Sequence, residues 1–398
     1  MAETPITEIS AAGFPVYLHG LSAIDSYLGR KAAASAAAVA ASAVEVLCGA
    51  DLADLARLFE GLRYPGAALA DAAVDSGGKT WYFRCEDAEY ARSYRHSFAF
   101  LDFYQDCATR RFYDPNGIYP LLRSILKGAD DAHAAQWWKN ANASADSCRA
   151  LFDGAAILAR YFPETGSGAI NAIAAEFRGL NGAPPGTEEL RLLLIRLLDA
   201  ANPAPGFELL KRCGFIAAYW PELAVLDDVD HSKEFHPEGN VWKHTMETLR
   251  YRKAQGGGFD LRLSLGLLLH DIGKPLSESS GSRRFDGHAE LGERQAYRFL
   301  QRLGFEAPLI RDVCYLVRNH MLPAAVSRLP LIRTGEVMSS LLFPTLLELY
   351  RCDESSSFKG LDGYYRSSAA YQSYLKHRRN PYRSADGKKL TNANAYIK

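Results

Sequence analysis

The sequence predicts an α+β protein in which a small mixed α/β head precedes a remainder that is built of helices. Short runs rich in aromatic and β-branched residues, which are typical of strands, occur within the first 125 residues. From about Leu121 onward these signals fade. Apolar residues then recur at helical spacing, for example over residues 188–198 and 206–213, and proline and glycine separate the runs. A mixed segment followed by helices indicates an α+β chain.

The head is predicted to contain three strand segments separated by helices. Residues 14–18, 80–84 and 98–104 have the composition of strands, whereas residues 51–59 have the spacing of a helix. Residues 32–47 form a long stretch that carries no charge before Glu45, and we expect a helix there. This stretch is shorter than the roughly 20 apolar residues that a membrane span requires.

Length and composition limit the organisation of the chain. The 398 residues allow two to four domains. We expect a head over residues 1–125, a helical neck over 126–230, a metal-binding domain over 231–358 and a basic tail over 359–398. The 46 basic and 46 acidic residues cancel, so nucleic-acid binding would require a local patch of positive charge.

The cysteines and the first residues favour a cytoplasmic protein. The seven cysteines are odd in number and form no CxxC pair, which favours free thiols in a reducing compartment. The first eight residues lack the basic start and apolar run of a signal peptide, and no interaction with a membrane is expected.

Histidines cluster in the C-terminal half, where six of the ten lie between residues 231 and 320. Leu263, Leu267 and His270 follow each other at i, i+4 and i+7, so His270 occupies an apolar helix face. Asp271 comes next, and Gly273 is among the residues that end this helix.

The same pattern occurs twice more. His320 continues an apolar stripe that includes Val313 and Val317, and Asp353 continues one that includes Leu346 and Leu349. A carboxylate at a buried position requires a cation nearby. A lone histidine on an apolar face is more often a core residue than a ligand, but the combined pattern predicts a divalent metal site. Its candidate ligands are His244, His270, Asp271, His288, His320 and Asp353.

At these residues the sequence resembles the HD superfamily, whose pattern is H…HD…D. Residues 267–275 (LLLHDIGKP) and 285–289 (FDGHA) carry the local resemblance. The two extra histidines resemble the subset that holds two metals. That resemblance implies a first metal on His244, His270, Asp271 and Asp353, and a second on Asp271, His288 and His320.

A wider resemblance, over about residues 10–355, is to the class II tRNA nucleotidyltransferase and poly(A) polymerase family. Residues 236–245 resemble that family's entry to its HD domain, and residues 206–223 resemble its neck helices. Residues 19–30 resemble the glycine-rich start GGxVRDxLLGR of its head. Residues 97–115 resemble the strand after its RRDFT element.

The head departs from this pattern at the positions that nucleotidyl transfer needs. The family holds its magnesium ions with a D-x-D shortly after LLGR, and residues 31–38 contain no acid here. Residues 94–97 lack the Asp of RRDFT, and residues 145–152 keep one acid and one Arg of the EDxxRxxR element. These departures predict an inactive nucleotidyltransferase-like head that is retained for scaffolding or for RNA binding.

The first hypothesis is therefore a phosphohydrolase that uses one or two divalent metals (Mn, Fe, Co, Ni, Zn or Mg). Asp271 and Lys274 would be catalytic, and Arg283 and Arg284 would meet the anionic substrate. The resemblance suggests 2′,3′-cyclic nucleotides, nucleoside monophosphates or RNA ends as substrates.

Two alternatives stay open. The chain could be an RNA-binding pseudoenzyme that contacts RNA through its head and neck, with residues 376–379 and 388–389 on the phosphates. It could also be an active tRNA or RNA nucleotidyltransferase that uses Asp25, or Asp51 with Asp54, as its acids.

Overall fold

The computed structural model divides the chain into two compact units. The first runs to Tyr219 and includes Phe259, and the second begins at Trp220. The residues that the structure describes are 4–31, 43–65, 70–85, 101–128, 147–177, 179–180, 184–230, 239–253, 259–278, 285–357, 360–378 and 388.

The first unit begins with a mixed sheet. In the described residues it has six strands in the order β3-β4-β2-β1-β5-β6, in which β2 and β4 are parallel and the other neighbours are antiparallel. Their bounds are β1 Val16–His19, β2 Ala43–Cys48, β3 Ala72–Ser76, β4 Lys79–Cys85, β5 Tyr104–Asp106 and β6 Phe112–Tyr113. The prediction of an α+β class with a mixed head is thus confirmed.

The strands agree only in part with the sequence prediction. β1 and β4 lie where strands were expected, whereas of residues 98–104 only Tyr104 is in a described strand and residues 98–100 lie outside the described part. The helix predicted over residues 32–47 is wrong for its last five residues, which belong to β2. This strand pairs on both sides and every residue except Glu45 is buried, so it looks like a continuous apolar run rather than an alternating one. Residues 32–42 lie outside the described part of the chain.

Helices complete the first unit. Gly206 lies where two of them meet, because an added Cβ there would lie 2.5 Å from the carbonyl oxygen of Ala155. Only glycine allows this close approach. The helices are α1 Pro5–Ala11, α2 Gly20–Lys31, α3 Leu52–Leu58, α4 Tyr119–Leu126, α5 Ser147–Tyr161, α6 Ser167–Ala175, α7 Thr187–Leu198, α8 Ala204–Arg212 and α9 Phe215–Tyr219.

The second unit is helical throughout its described residues. Its core contains the large side chains Trp220, Trp242, Phe299 and Phe343, all of which are fully buried. The helices are α10 Pro221–Ala224, α11 Val241–Arg250, α12 Leu261–Leu269, α13 Lys274–Glu278, α14 His288–Arg302, α15 Ala307–Asn319, α16 Pro323–Val326, α17 Leu331–Ser339, α18 Phe343–Ser355 and α19 Asp362–Arg378. A 3₁₀ turn, Val225–Asp228, follows α10.

The last helix replaces much of the predicted tail. The sequence predicted a basic tail from residue 359, but α19 packs against the rest of the unit. The hydroxyl of Ser367 is buried and donates to the carbonyl of Pro323 at 2.6 Å, and the rings of Tyr371 and Phe343 lie 4.6 Å apart. Apolar contacts through tyrosines therefore outweigh the polar composition of this segment.

Two smaller expectations can be compared with the structure. All seven cysteines are free thiols, as predicted. None of the helices in the described residues combines the length and the apolar character that a bilayer crossing would need.

Candidate metal centre

Six ionisable side chains of the second unit converge on one cavity of about 270 Å³. Helix ends deliver most of them. His270 and Asp271 directly follow α12, His288 is the first residue of α14, and His320 directly follows α15. His244 and Asp353 lie within α11 and α18. All six residues that the sequence singled out as metal ligands are thus neighbours.

The first group of potential ligands consists of His244, His270 and Asp353. The Nε2 atom of His244 lies 3.0 Å from Oδ1 of Asp353 and 3.4 Å from Nε2 of His270. Two ligands that are each about 2.1 Å from one ion are separated by roughly 3.0–3.4 Å. These spacings therefore suit a shared ion.

The second group consists of Asp271, His288 and His320. The Nε2 atoms of the two histidines lie 3.1 Å apart, and Oδ1 of Asp271 lies 3.6 Å from His288 and 3.8 Å from His320. The other carboxylate oxygen, Oδ2, lies 3.3 Å from Nε2 of His270 and 3.9 Å from Nε2 of His244. Asp271 therefore presents one oxygen to each group.

The other nitrogen of each imidazole, Nδ1, is a hydrogen-bond donor. In three cases it donates to a backbone carbonyl three residues earlier: His270 to Leu267 at 2.7 Å, His288 to Phe285 at 2.7 Å and His320 to Val317 at 2.8 Å. Nδ1 of His244 faces Ser356 Oγ at 3.2 Å, and that hydroxyl donates its hydrogen to the carbonyl of Asp353. The imidazole must therefore be the donor in this bond too.

These bonds decide what the facing Nε2 atoms can do. Because each neutral ring carries its hydrogen on Nδ1, each Nε2 presents a lone pair. Lone pairs that face each other at 3.1 and 3.4 Å repel unless a cation or a proton lies between them. A hydrogen-bonded Nδ1 with a free Nε2 is the arrangement that metal-ligating histidines adopt.

Burial and neighbouring charges keep these groups in the protonation states that bind metals. Burial alone would raise the pKa of Asp271, but the charge of the protonated form of His270 and the charge of Lys274 outweigh it and hold the pKa well below its usual range. Burial lowers the pKa of His320 to about 4. The protonated form of His244, with a hydrogen on Nε2 as well as on Nδ1, likewise outweighs the burial of Asp353 and lowers the pKa of that carboxyl group. At neutral pH the carboxylates are ionised and His320 is neutral, as ligands must be.

Lys274 contacts the centre directly. Its Nζ lies 2.6 Å from Oδ2 of Asp271, and it also lies 5.5 Å from the centroid of the Phe285 ring. Both residues line the cavity. An ammonium group here can neutralise an anion that enters the cavity.

Gly273 explains how α14 can start so close to the end of α12. A Cβ at this position would lie 2.0 Å from the carbonyl oxygen of His288 and 2.5 Å from the backbone nitrogen of Gly292. Backbone atoms cannot move aside as a flexible side chain can. The glycine two residues after Asp271 is therefore what allows His288 to reach the same carboxylate.

Some cavity residues were not predicted from the sequence, and others cannot be placed. Arg283 and Arg284, predicted to bind substrate, lie outside the described residues. Tyr350, Glu354 and Ser357 line the cavity but were missed. Tyr350 and Glu354 lie on the face of α18 that carries Asp353, and Ser357 continues the same spacing just beyond the helix. This spacing was the available signal.

In the first unit, the acids considered for nucleotidyl transfer make structural contacts. Asp25 binds Arg160 through both carboxylate oxygens, at 2.8 and 2.6 Å. Asp51 caps α3 and bonds to the backbone N–H of Asp54. The sequence comparison looked for the D-x-D element in residues 31–38. In the structure, the first described strand after α2 is β2, which spans Ala43–Cys48.

The acid within β2 is Glu45, which the sequence comparison with D-x-D did not include. Its carboxylate pairs with Arg196 and lines a cleft that also contains Asp153. Residues 94–97 and 145–146 lie outside the described part of the chain.

The helical fold and its cluster of histidines and aspartates define a domain of the HD type, and comparison with known proteins agrees. Residues 241–341 match the family model described as HD domain. The chain is 35% identical over 143 residues to the CC-adding tRNA nucleotidyltransferase of Thermus thermophilus, a match that covers 35% of this chain and 32% of that relative. It is 33% identical over 161 residues to the multifunctional CCA protein of Alkalilimnicola ehrlichii, covering 40% and 36%.

These matches confirm the resemblance: residues 241–341 form an HD domain, and the chain is similar to tRNA nucleotidyltransferases of class II. The matched segments span about a third of the length of these curated relatives. Among solved structures, the chain is similar to the CCA-adding enzyme of Bacillus stearothermophilus in complex with CTP. That similarity has a TM-score of 0.46 and 13% identity, and it covers 94% of this chain and 81% of that one.

The close approach at Gly273 yields a first prediction. Gly273→Ala should force α14 away from Asp271, destabilise the protein by about 2 kcal/mol and weaken metal binding about 10- to 100-fold. Gly335→Ala is the matched control, because the nearest atom to its Cβ is a leucine methyl at 3.5 Å within α17. The measurement is chemical denaturation together with metal titration. Equal behaviour of the two variants would contradict this account of Gly273.

Proposed function

We propose that the HD domain is a metal-dependent phosphohydrolase that acts on nucleotides or RNA ends. The observation that carries the proposal is the position of Asp271, whose two carboxylate oxygens each face a separate group of ligands at 3.3–3.9 Å. A carboxylate shared between two cation sites is the arrangement on which two-metal phosphate chemistry is built.

Two sets of ligands follow from these distances. His244, His270, Asp271 and Asp353 would hold the first ion, and Asp271, His288 and His320 would hold the second. Imidazole and carboxylate donors suit Mn, Fe, Co, Ni or Zn, whereas Mg prefers a site with oxygen ligands. When bound, the ions would make hydroxide available from water near neutral pH and neutralise phosphate oxygens.

The protein supplies the remaining parts of the site. Asp271 presents one carboxylate oxygen to each group of imidazoles. Lys274, which bonds to Asp271 and lines the cavity, would donate a hydrogen bond to a phosphate oxygen and balance its charge. Arg283 and Arg284 precede His288 in the sequence, and their positive charges would attract an anionic substrate.

The cavity limits the size of the substrate. Its volume of about 270 Å³ is slightly below the roughly 300–1,000 Å³ of most small-molecule pockets. Such a space fits one nucleotide unit, either free or at the end of an RNA. We therefore propose 2′,3′-cyclic nucleotides, nucleoside monophosphates or the terminal phosphate of an RNA as substrates.

The proposal predicts hydrolysis that depends on both the metal and Asp271. Purified full-length protein should hydrolyse bis(p-nitrophenyl) phosphate or a nucleoside 2′,3′-cyclic phosphate. A chelator should abolish this activity and Mn, Co or Ni should restore it. Asp271→Ala should lower kcat by roughly 1,000-fold or more, since it removes ligands from both ions.

A surface carboxylate provides the control. Asp312→Ala, whose carboxylate forms a partly exposed pair with Arg262, should keep full activity. A wild-type protein that binds metal but hydrolyses none of these phosphates would contradict the proposal.

A second candidate function is nucleotide addition to RNA, and the relatives are the observation that favours it. They are named as a CC-adding tRNA nucleotidyltransferase and a multifunctional CCA protein, and Glu45 supplies one acid on β2 of the head. Against it, the residue two positions earlier in the strand is Ala43, and Glu45 is held by Arg196. An inactive head could instead serve to bind RNA.

We expect no incorporation of CTP or ATP into tRNA that lacks its 3′ end, because Glu45 is paired with Arg196 and Ala43 stands in place of a second acid two positions earlier in the strand. The measurement uses labelled nucleotides in the presence of Mg²⁺, with Glu45→Gln as the matched variant. Incorporation by the wild type that Glu45→Gln abolishes would establish the second candidate and overturn the inactive head.

A further inference from the structure

A tyrosine and a glutamate form part of the wall of the metal cavity. Tyr350 and Glu354 lie one turn apart on α18, on the face that also carries Asp353. The Tyr350 side chain is buried, and Glu354 is partly exposed. Neither residue belongs to the two groups of potential metal ligands.

Glu354 is the acceptor in both hydrogen bonds of this pair. The Tyr350 hydroxyl donates to Oε1 of Glu354 at 2.5 Å, and the backbone N–H of Tyr364 donates to Oε2 at 2.7 Å. Both carboxylate oxygens therefore accept a bond from within the protein, so the glutamate is fixed and holds the tyrosine in place.

The start of α19 closes over the pair. A Cβ on Gly363 would lie 2.4 Å from Oε1 of Glu354 and 2.4 Å from the hydroxyl oxygen of Tyr350. Any larger residue here would displace the ends of these two side chains. The start of α19 therefore packs directly against the pair, and this explains why the backbone N–H of Tyr364 can reach Glu354.

The direction of these bonds decides what the pair can recognise. A phenol has one hydrogen to donate, and Tyr350 gives its hydrogen to Glu354. Towards the cavity its oxygen can then only accept a hydrogen bond. A phosphate oxygen also only accepts, and the carboxylate of Glu354 repels it. A hydroxyl or amino group of a nucleoside is a donor and meets both requirements.

The phosphate group of the substrate would therefore bind Lys274, whose positively charged side chain lines the same cavity. We propose that Tyr350, positioned by Glu354, determines specificity by accepting a hydrogen bond from a hydroxyl or amino group of the substrate's nucleoside. This inference rests on the proposed phosphohydrolase function and adds the orientation of the substrate to it.

Kinetics with two substrates test the inference. Cytidine 2′,3′-cyclic phosphate carries hydroxyl and amino donors, whereas bis(p-nitrophenyl) phosphate carries none. Tyr350→Phe should raise KM for the cytidine compound about 3- to 10-fold, which is the effect of one lost hydrogen bond, and leave kcat for that compound unchanged. KM and kcat for bis(p-nitrophenyl) phosphate should both stay unchanged. Tyr297→Phe, at a half-exposed tyrosine of α14, is the control and should change neither.

A binding measurement provides a readout that is independent of turnover. Calorimetric titration of cytidine, which has no phosphate to be hydrolysed, into the full-length protein should give a Kd that is about 3- to 10-fold higher for Tyr350→Phe than for the wild type. Glu354→Gln keeps an acceptor for the tyrosine but removes the negative charge. It should therefore shift KM and Kd less than Tyr350→Phe does, provided that metal content and melting temperature match the wild type.

The outcomes separate the two proposals. If the wild type hydrolyses neither compound, the phosphohydrolase proposal fails. If it hydrolyses both, and Tyr350→Phe changes both sets of constants equally or changes neither, the role of Tyr350 is wrong while the phosphohydrolase stands. If Tyr350→Phe does not fold, Glu354→Gln decides: kinetic and binding constants for the cytidine compounds identical to those of the wild type would overturn the inference.

Discussion

The second unit depends on bringing six polar side chains together where four imidazole lone pairs and two carboxylates face one another. Every Nδ1 atom in the group is committed to a hydrogen bond as a donor, so the rings cannot turn a hydrogen towards the centre. Removing charges from water costs several kcal/mol for each ion, and only cations placed among these groups offset that cost. The proposed metals thus account for the burial, the ring orientations and the spacing together.

The ends of helices bring these side chains together. His270 and His320 each follow the last turn of a helix, where the carbonyl three residues earlier accepts no bond within the helix and can accept the Nδ1 hydrogen instead. Gly273 then lets α14 begin against the same turn, so His288 lies beside Asp271. Local helix geometry therefore sets the imidazole orientations, and one close backbone contact joins the two groups.

The sequence predicts those parts of the site that local periodicity determines. His270, His320 and Asp353 each continue an apolar helical stripe, so their inward direction could be derived from spacing alone. The pairing of Tyr350 with Glu354 could not, because it depends on Gly363 and Tyr364 of a helix that the sequence presented as a basic tail. In the head, Val44 and Val46 were assigned to a helix because a central strand buried on both faces lacks the alternation that marks a strand. Glu45, which belongs to that strand, was overlooked for the same reason.

The most direct test of the account is the metal content of the protein measured with single substitutions of the proposed ligands. Elemental analysis of purified full-length protein should give two equivalents of a transition metal for the wild type. His244→Ala and His320→Ala should each retain about one equivalent, and Asp271→Ala should retain little of either, because only Asp271 serves both sites. A wild-type protein that binds no metal at micromolar concentrations, or an Asp271→Ala variant that keeps both equivalents, would contradict the account.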